Sequence, residues 1–403
     1  MLKGEFLTKF GITAKSALAN IVLISNVFIW YSFAFGVLKG LITEAPLVMW
    51  SVHFVGATFS AIVGTTLTNK IHRRTAFLMF WMVFGIISSL ILMQVNSMSI
   101  LDVLAISFLF GVSFGLGLPA SMAYFADCTN VENRAKFGGL ILLVDGLGAF
   151  LLGITAVDDI ALQALTLAIW RLSGLIIFLL VKPAQEIVEK RRSVSFSSIL
   201  GQRSFVLYLI PWIMFSLVNY LSLPIQFDIL GSSLVSSLGV IENVLYGVFA
   251  VVGGFLSDFI GRKRVTISGF VLLGLGYAIL GIYPENLVGW YFYTLVDGIA
   301  WGIFSVIFII TIWGDLSYGA SSDKYYALGG LPFFVSNFLR LMIGSYIAET
   351  VSANAIFSLT AFFLFLAVLP LMYAPETLPE KKIRERELRQ YVEKAKKIKE
   401  KHT

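Results

Sequence analysis

Twelve apolar runs of roughly twenty residues, separated by short polar gaps, make up most of this chain. Runs 1 to 6 lie near Ala17–Leu38, Ala45–Thr68, Thr75–Val95, Ile100–Phe125, Phe137–Val157 and Ile160–Val181. Runs 7 to 12 lie near Phe205–Phe227, Leu234–Ser257, Val265–Ile282, Leu287–Trp313, Ala327–Ala348 and Ala353–Ala374. The runs are continuous, without the alternation of a closed barrel, which is the other structure able to cross a bilayer. The pattern predicts an all-α integral membrane protein of twelve spanning helices. Its expected parts are an N-terminal six-helix half (1–181), a cytoplasmic central loop (182–204), a C-terminal half (205–374) and a charged cytoplasmic tail (375–403).

Composition supports this. The chain is 58% hydrophobic and 13% charged, whereas soluble proteins carry about 25% charged residues. The net charge of +6 does not point to nucleic acid, because the basic residues occupy the gaps between apolar runs. Their placement orients the chain instead. With the N-terminus inside, only three of the 30 Lys and Arg residues fall outside the inner gaps, the start, the central loop or the tail. These are Lys39, in an outer gap, and Arg171 and Arg340, within runs. Basic segments stay cytoplasmic, so both termini are expected inside a cell (plasma) membrane. Met1–Ser16 is polar and mixed in charge, so no cleaved signal peptide is expected. Cys128 is the single cysteine, which excludes an intramolecular disulfide and a cysteine metal cluster.

The most informative polar break is Gly253-Gly254-Phe255-Leu256-Ser257-Asp258-Phe259-Ile260-Gly261-Arg262-Lys263-Arg264, after run 8. Its small residues allow close helix approach, and its acid needs a partner at a membrane boundary. A weaker copy, Gly64 to Arg74, lies 189 residues earlier, with Asn69 at the place of Asp258, His72 at that of Gly261, and Arg73 and Arg74 following. At the same offset Tyr31 matches Tyr220, and His53 matches Glu242. At nearly that offset Gly111 and Gly115 match Gly298 and Gly302, and Asp127 matches Asp315. Such repeated halves mark transporters whose solute site lies between them near the midplane.

Two six-helix halves, a basic central loop and the Gly253–Arg264 stretch resemble the major facilitator superfamily over Ala17 to Ala374. Pro375-Glu376-Thr377 resembles the tail of its sugar-porter and organic-ion branches. The resemblance implies that Asp258 meets the start of the fifth helix near Phe137-Gly138-Gly139, with Arg134 close by, when the cytoplasmic side is closed. Helix N-termini favour a carboxylate through free N–H groups and partial positive charge. By the same logic Asn69 is expected to meet the start of the eleventh helix near Ala327, as a neutral clasp. The other reading is that Asp258 pairs only locally, with Arg262 or Lys263.

Ionisable groups within the apolar runs are candidates for solute or proton binding. Asp145 and Arg171 fall at matching depth in runs 5 and 6, and Asp297 and Arg340 in runs 10 and 11. Each couple reads equally as a buried structural ion pair or as functional groups. Glu242, sixteen residues before Asp258, is a further carboxylate, and His53 is either a packing residue or a polar contact. Asn26, Tyr31, Asn219 and Tyr220 add polar and aromatic contacts for solute or proton, of which Tyr31 and Tyr220 are expected to face the cavity, and Pro211 and Pro224 are expected to bracket the seventh helix.

No Gly-x-x-x-x-Gly-Lys phosphate loop and no His-Glu-x-x-His pattern occur, and no nucleophile–base set suggests an enzyme. Neither cofactor nor metal is expected. The reading is a monomeric secondary transporter of a small organic solute working by alternating access, coupled to protons. Alternatives are an uncoupled facilitator or a transporter-like sensor. In the tail, Leu388, Tyr391, Ala395 and Ile398 recur at helical spacing among charges, predicting a solvated helix.

Overall fold

A computed structural model describes residues 12–42, 45–71, 73–97, 100–154, 159–181, 194–317, 319–378 and 388, and these contain helices and no strands. The first half comprises α1 (Ala14–Leu41), α2 (Pro46–Ile71), α3 (Arg74–Ile91, with a 3₁₀ extension Leu92–Ser97), α4 (Ile100–Gly115 and Leu118–Cys128), α5 (Arg134–Ile154) and α6 (Ile160–Val181). A short surface helix, Phe196–Leu200, precedes the second half. The next helical element, Arg203–Ile260, has 58 residues, about 87 Å at 1.5 Å per residue, too long for one crossing. It divides at Gly231 (φ 73°, ψ 160°) into α7 (203–230) and α8 (232–260). Then follow α9 (Arg262–Ile282), α10 (Leu287–Phe304, running through the π-helical Ser305–Thr311 into Ile312–Leu316), α11 (Asp323–Thr350) and α12 (Ala353–Leu366 and Val368–Tyr373).

Several boundaries differ from the hydropathy reading. Runs 7 and 8 have no open loop between them: the helix continues through Pro224 and breaks at Gly231, so Pro211 and Pro224 lie inside α7. α11 begins at Asp323, four residues before Ala327, and α5 begins at Arg134. Polar residues at these starts hide them from an apolar count. Most of the expected tail helix, and 182–193 of the central loop, lie outside the described residues.

Large apolar side chains such as Phe59, Leu101, Leu180 and Val288 are 68–74% exposed, a surface suited to lipid and not to water. With the 58-residue element counted once, ten described helices are long and apolar enough to cross a membrane. Two buried cores lie within the bundle. One gathers side chains from α1–α4 and α6 and is joined by Phe334 of α11. The other gathers the second half and is joined by Met122, Phe125, Ala135, Phe137 and Ile141 from the ends of α4 and α5.

The sequence repeat becomes a repeat of backbone contacts. A Cβ on Gly111 of α4 would lie 2.1 Å from the His53 carbonyl oxygen of α2, and one on Gly115 2.0 Å from that of Ala57. In the second half, a Cβ on Gly298 of α10 would lie 3.0 Å from the Glu242 carbonyl oxygen of α8, and one on Gly302 2.7 Å from that of Tyr246. A Cβ on Gly64 would meet Leu116 O at 1.9 Å, and one on Gly253 would meet Ile303 Cα at 3.2 Å. The α2–α4 and α8–α10 pairs therefore pack backbone to backbone at equivalent glycines, as small residues permit. Gly115→Ala is expected to destabilise the protein by about 2 kcal/mol or more. Gly36→Ala, in α1 with no atom within 4 Å of the added Cβ, is expected to leave stability unchanged or slightly raised. Denaturant unfolding in detergent measures both.

Candidate functional site

The basic end of the bundle is closed by a buried charge network. Asp258, near the end of α8, accepts from the backbone N–H of Lys136 at 2.7 Å and of Ala135 at 3.4 Å, in the first turn of α5. It also pairs with Arg262 Nη1 at 2.7 Å. The contact across the halves and the local pair thus coexist. The N–H groups used lie in the turn before Gly138, because α5 starts at Arg134. Gly254 permits this approach, since a Cβ there would sit 2.3 Å from the Ala135 carbonyl oxygen.

Arg262 is fully buried and also donates through Nε to Asp315 Oδ2 at 3.1 Å. Arg134, from the other half, pairs with Asp315 Oδ1, and its Nε donates to Thr129 Oγ1 at 3.0 Å. Thr377 Oγ1 donates to Asp315 Oδ2 at 3.0 Å. The chain turns from α8 to α9 at Gly261 (φ 108°), a backbone angle that favours glycine. The Glu376 carboxylate lies against that turn and accepts from the N–H of Arg262 at 2.9 Å and of Lys263 at 3.1 Å. The segment after α12 is thereby strapped onto the start of α9, and Lys263 Nζ donates to Met372 O at 2.6 Å.

The first-half copy works with reversed polarity. Arg74, buried at the start of α3, pairs with Asp127 of α4 and, at 3.4 Å, with Asp323 at the start of α11. Here the cation comes from the loop and helix 11 supplies the acid. Arg73 is exposed. Arg74 is therefore the counterpart of Arg262, one residue off the 189-residue offset: the single residue Gly261 joins α8 to α9, whereas two residues separate α2 from α3. The side chain of Asn69 lies outside the described set, and the contact at the α11 start is this ion pair.

A second polar cluster lies within the second half. Glu242 of α8 and Asp297 of α10 carry neighbouring carboxyl groups, and Asp297 Oδ1 is buried without a hydrogen-bond partner. Tyr293 adjoins Asp297 and exchanges a hydrogen bond with Tyr277 at 3.0 Å. Tyr277 Oη donates to Asn219 Oδ1 at 3.1 Å and lies 2.8 Å from Ser222 Oγ, while Gln226 donates to Tyr293 Oη at 3.1 Å. Asp297 does not pair with Arg340, because it faces α8 and not α11. The Tyr220 side chain lies outside the described set.

In the first half, His53 is fully buried. Its Nδ1 lies 2.9 Å from Ser107 O, and its Nε2 lies 3.0 Å from Tyr31 Oη. A carbonyl only accepts, so Nδ1 carries hydrogen and donates to it, and Nε2 shares the second hydrogen bond with the Tyr31 hydroxyl. Tyr31 stacks on Phe114 at 3.6 Å between centroids. Asn26 and Arg171 do not face a cavity. Asn26 Nδ2 donates to Trp170 O at 2.7 Å, and its Oδ1 accepts from Arg171 Nη1 at 3.0 Å. The guanidinium lies over the rings of Trp81 and Trp30, in space left by Gly85. Asp145 makes no ion pair with Arg171. It points across the halves toward Tyr246 of α8, and its Oδ1 is buried without a hydrogen-bond partner.

Between the halves lies a cavity of about 50 Å³, room for a few atoms at this separation of its walls. Phe114, Trp212, Phe308, Trp313 and Phe334 are among its lining residues. The sequence reading did not single out Asp315, Asp323, Glu376, Tyr277 or Tyr293 as site residues. Asp315 was signalled by its match to Asp127; the tyrosines and Asp323 carried no local signal.

Repeated six-helix halves closed at one end by these charges define a transporter architecture. A family model described as the Major Facilitator Superfamily matches residues 192–401, and the chain belongs to that family. Among solved structures, the chain is similar to the proton:xylose symporter XylE bound to 6-bromo-6-deoxy-D-glucose, at 17% identity and TM-score 0.69 over 90% of this chain and 96% of that one. It is also similar to the human organic anion transporter MFSD10 (TETRAN), at 15% identity and TM-score 0.67 over 89% of this chain and 100% of that one. At these identities the likeness establishes the fold. No curated protein sequence matches. The chain is an integral membrane protein of a family of membrane transporters.

Arg74→Gln and Asp323→Asn are expected to be non-additive, with a coupling of about 0.5–3 kcal/mol. A double-mutant cycle on unfolding in detergent measures it, and additive effects would mean that the clasp contributes nothing.

Proposed function

We propose that this chain is a secondary active transporter of a small organic solute that works by alternating access and is coupled to protons through Glu242 and Asp297. The carrying observation is the carboxyl pair. Asp297 is buried and Glu242 half-buried beside it, and two such neighbouring carboxyls are compatible when one carries a proton, whereas two like charges there repel strongly. The pair therefore holds or releases a single proton, and its release favours separation of α8 from α10.

Helix α8 offers a route from this event to the gate. Glu242 and Asp258 are sixteen residues apart on it, about 24 Å along a rigid rod. Asp258 grips the start of α5 across the halves, so a tilt of α8 that follows deprotonation changes that grip. In this reading the basic end faces the cytoplasm, the Asp258 and Arg74 contacts form the cytoplasmic gate, and the solute site lies between the halves. Asp145, whose Oδ1 is unpartnered and which faces α8, is a second place where a proton docks. Binding alone, as in a sensor, does not call for a carboxyl pair and a gate on one helix.

Infrared spectroscopy tests the shared proton. The protein at neutral pH is expected to show a carboxylic acid band that is lost in Asp297→Asn and in Glu242→Gln. In proteoliposomes the same variants are expected to lose solute accumulation driven by ΔpH while retaining solute exchange. A band and accumulation unaffected in both variants would overturn the proton assignment. Asp258→Asn is expected to slow transport without loss of folded protein, and unchanged transport kinetics would remove the gate from the reading.

A further inference from the structure

We infer that the solute is an uncharged, largely apolar aromatic molecule, held in the central cavity by ring stacking and dispersion and not by hydrogen bonds; this rests on the transport reading above. The walls come from both halves, with Phe114 on one side and Trp212, Phe308, Trp313 and Phe334 on the other. Among the described residues, no Asp, Glu, Lys, Arg, His, Asn or Gln lines them.

The polar atoms of the lining rings are already engaged within the protein. Trp212 Nε1 donates to Gly329 O at 2.9 Å, Trp313 Nε1 to Phe308 O at 2.5 Å, and Tyr326 Oη to Ile310 O at 2.6 Å. The Glu242–Asp297 cluster, the Tyr31–His53 contact and the Asn26–Arg171 pair lie elsewhere in the membrane interior and are absent from these walls. The protein thus separates its polar machinery from the surface the solute touches.

That separation selects by chemistry. A sugar entering this cavity leaves its hydroxyls unmet, and each costs about tenfold or more in affinity. A carboxylate or phosphate finds no cation in the walls and is excluded more strongly. A flat aromatic solute loses nothing on leaving water and gains offset or edge-to-face contact with the lining rings. Gly330 marks where such a ring fits, since it lines the cavity and no atom lies within 4 Å of the Cβ it lacks. The solute enters when the halves part further than they do here. The similar structure XylE is described with a sugar analogue bound, and among the described residues this lining carries no side-chain amide or charge.

Equilibrium dialysis of labelled 1-naphthol against the purified full chain in detergent tests the inference, with D-xylose and benzoate as competitors. Saturable binding of 1-naphthol is expected, unaffected by either competitor. Gly330→Leu fills the open space and is expected to weaken binding about tenfold or more with an unchanged melting temperature. Phe334→Ala removes a stacking ring and is expected to weaken it comparably, which keeps the test alive if Gly330→Leu does not fold. Displacement by D-xylose or benzoate, or 1-naphthol uptake equal in wild type and the folded variants, would overturn the solute class; the latter would mean partition into detergent. Cavity-dependent 1-naphthol binding with an infrared band untouched by Asp297→Asn and Glu242→Gln would leave the solute class standing and remove the proton coupling. The reverse pattern would remove the solute class alone.

Discussion

The closed end of this protein depends on one buried carboxylate. Asp315 receives Arg134 from one half, Arg262 from the other and the hydroxyl of Thr377 from the segment after α12. Two guanidiniums held this far from water need that charge; a buried ion pair deprived of one partner loses about 3–5 kcal/mol. Asp258 supplies the second negative charge for Arg262 and spends its remaining capacity on the N–H groups of α5. Charges that would be costly singly become a single interlocked unit. For the same reason the unit can release as a whole, since loss of one contact leaves the others poorly compensated.

The two halves reach this closure by different chemistry. In the second half the loop provides the acid and the partner helix provides backbone N–H groups. In the first half the loop provides Arg74 and the partner helix provides Asp323. A charge-assisted clasp is kept on both sides, with its polarity exchanged on one. Helix α8 stands apart because it carries both the carboxyl that faces Asp297 and the acid that grips α5. This gives a mechanical reason for the carboxyl pair to lie in the second half, where Tyr277, Tyr293 and Asn219 support it.

Several polar groups within the membrane region meet another protein group, while Asp145 Oδ1 and Asp297 Oδ1 are buried without a hydrogen-bond partner. Asn26 holds Arg171 between two tryptophans, and Tyr31 fixes the ring of His53. A medium without water imposes this, because an unmet donor or acceptor has no solvent to turn to. The surfaces left to face the central cavity are therefore aromatic and apolar.

Much of the architecture was legible in the residues alone. Run length follows from bilayer thickness, and the paired halves follow from glycines that recur at one offset. These signals are local or periodic, so a linear reading recovers them. The depth of Asp145 and Arg171, or of Asp297 and Arg340, was equally legible, but rotation about the helix axis was not, and rotation decided their partners. Asp297 turned to Glu242, and Arg171 turned to Asn26 and the indole rings. The place of Arg74 was hidden by a one-residue difference in turn length that Gly261, with its positive φ, makes possible in the second half only. The chain therefore encodes the acid of Gly253–Arg264 and its need for a partner. Arg262 answers that need locally, four residues on; the N–H groups of α5 and the guanidinium of Arg134 are brought in only when both halves pack, because they lie more than a hundred residues away across the interface.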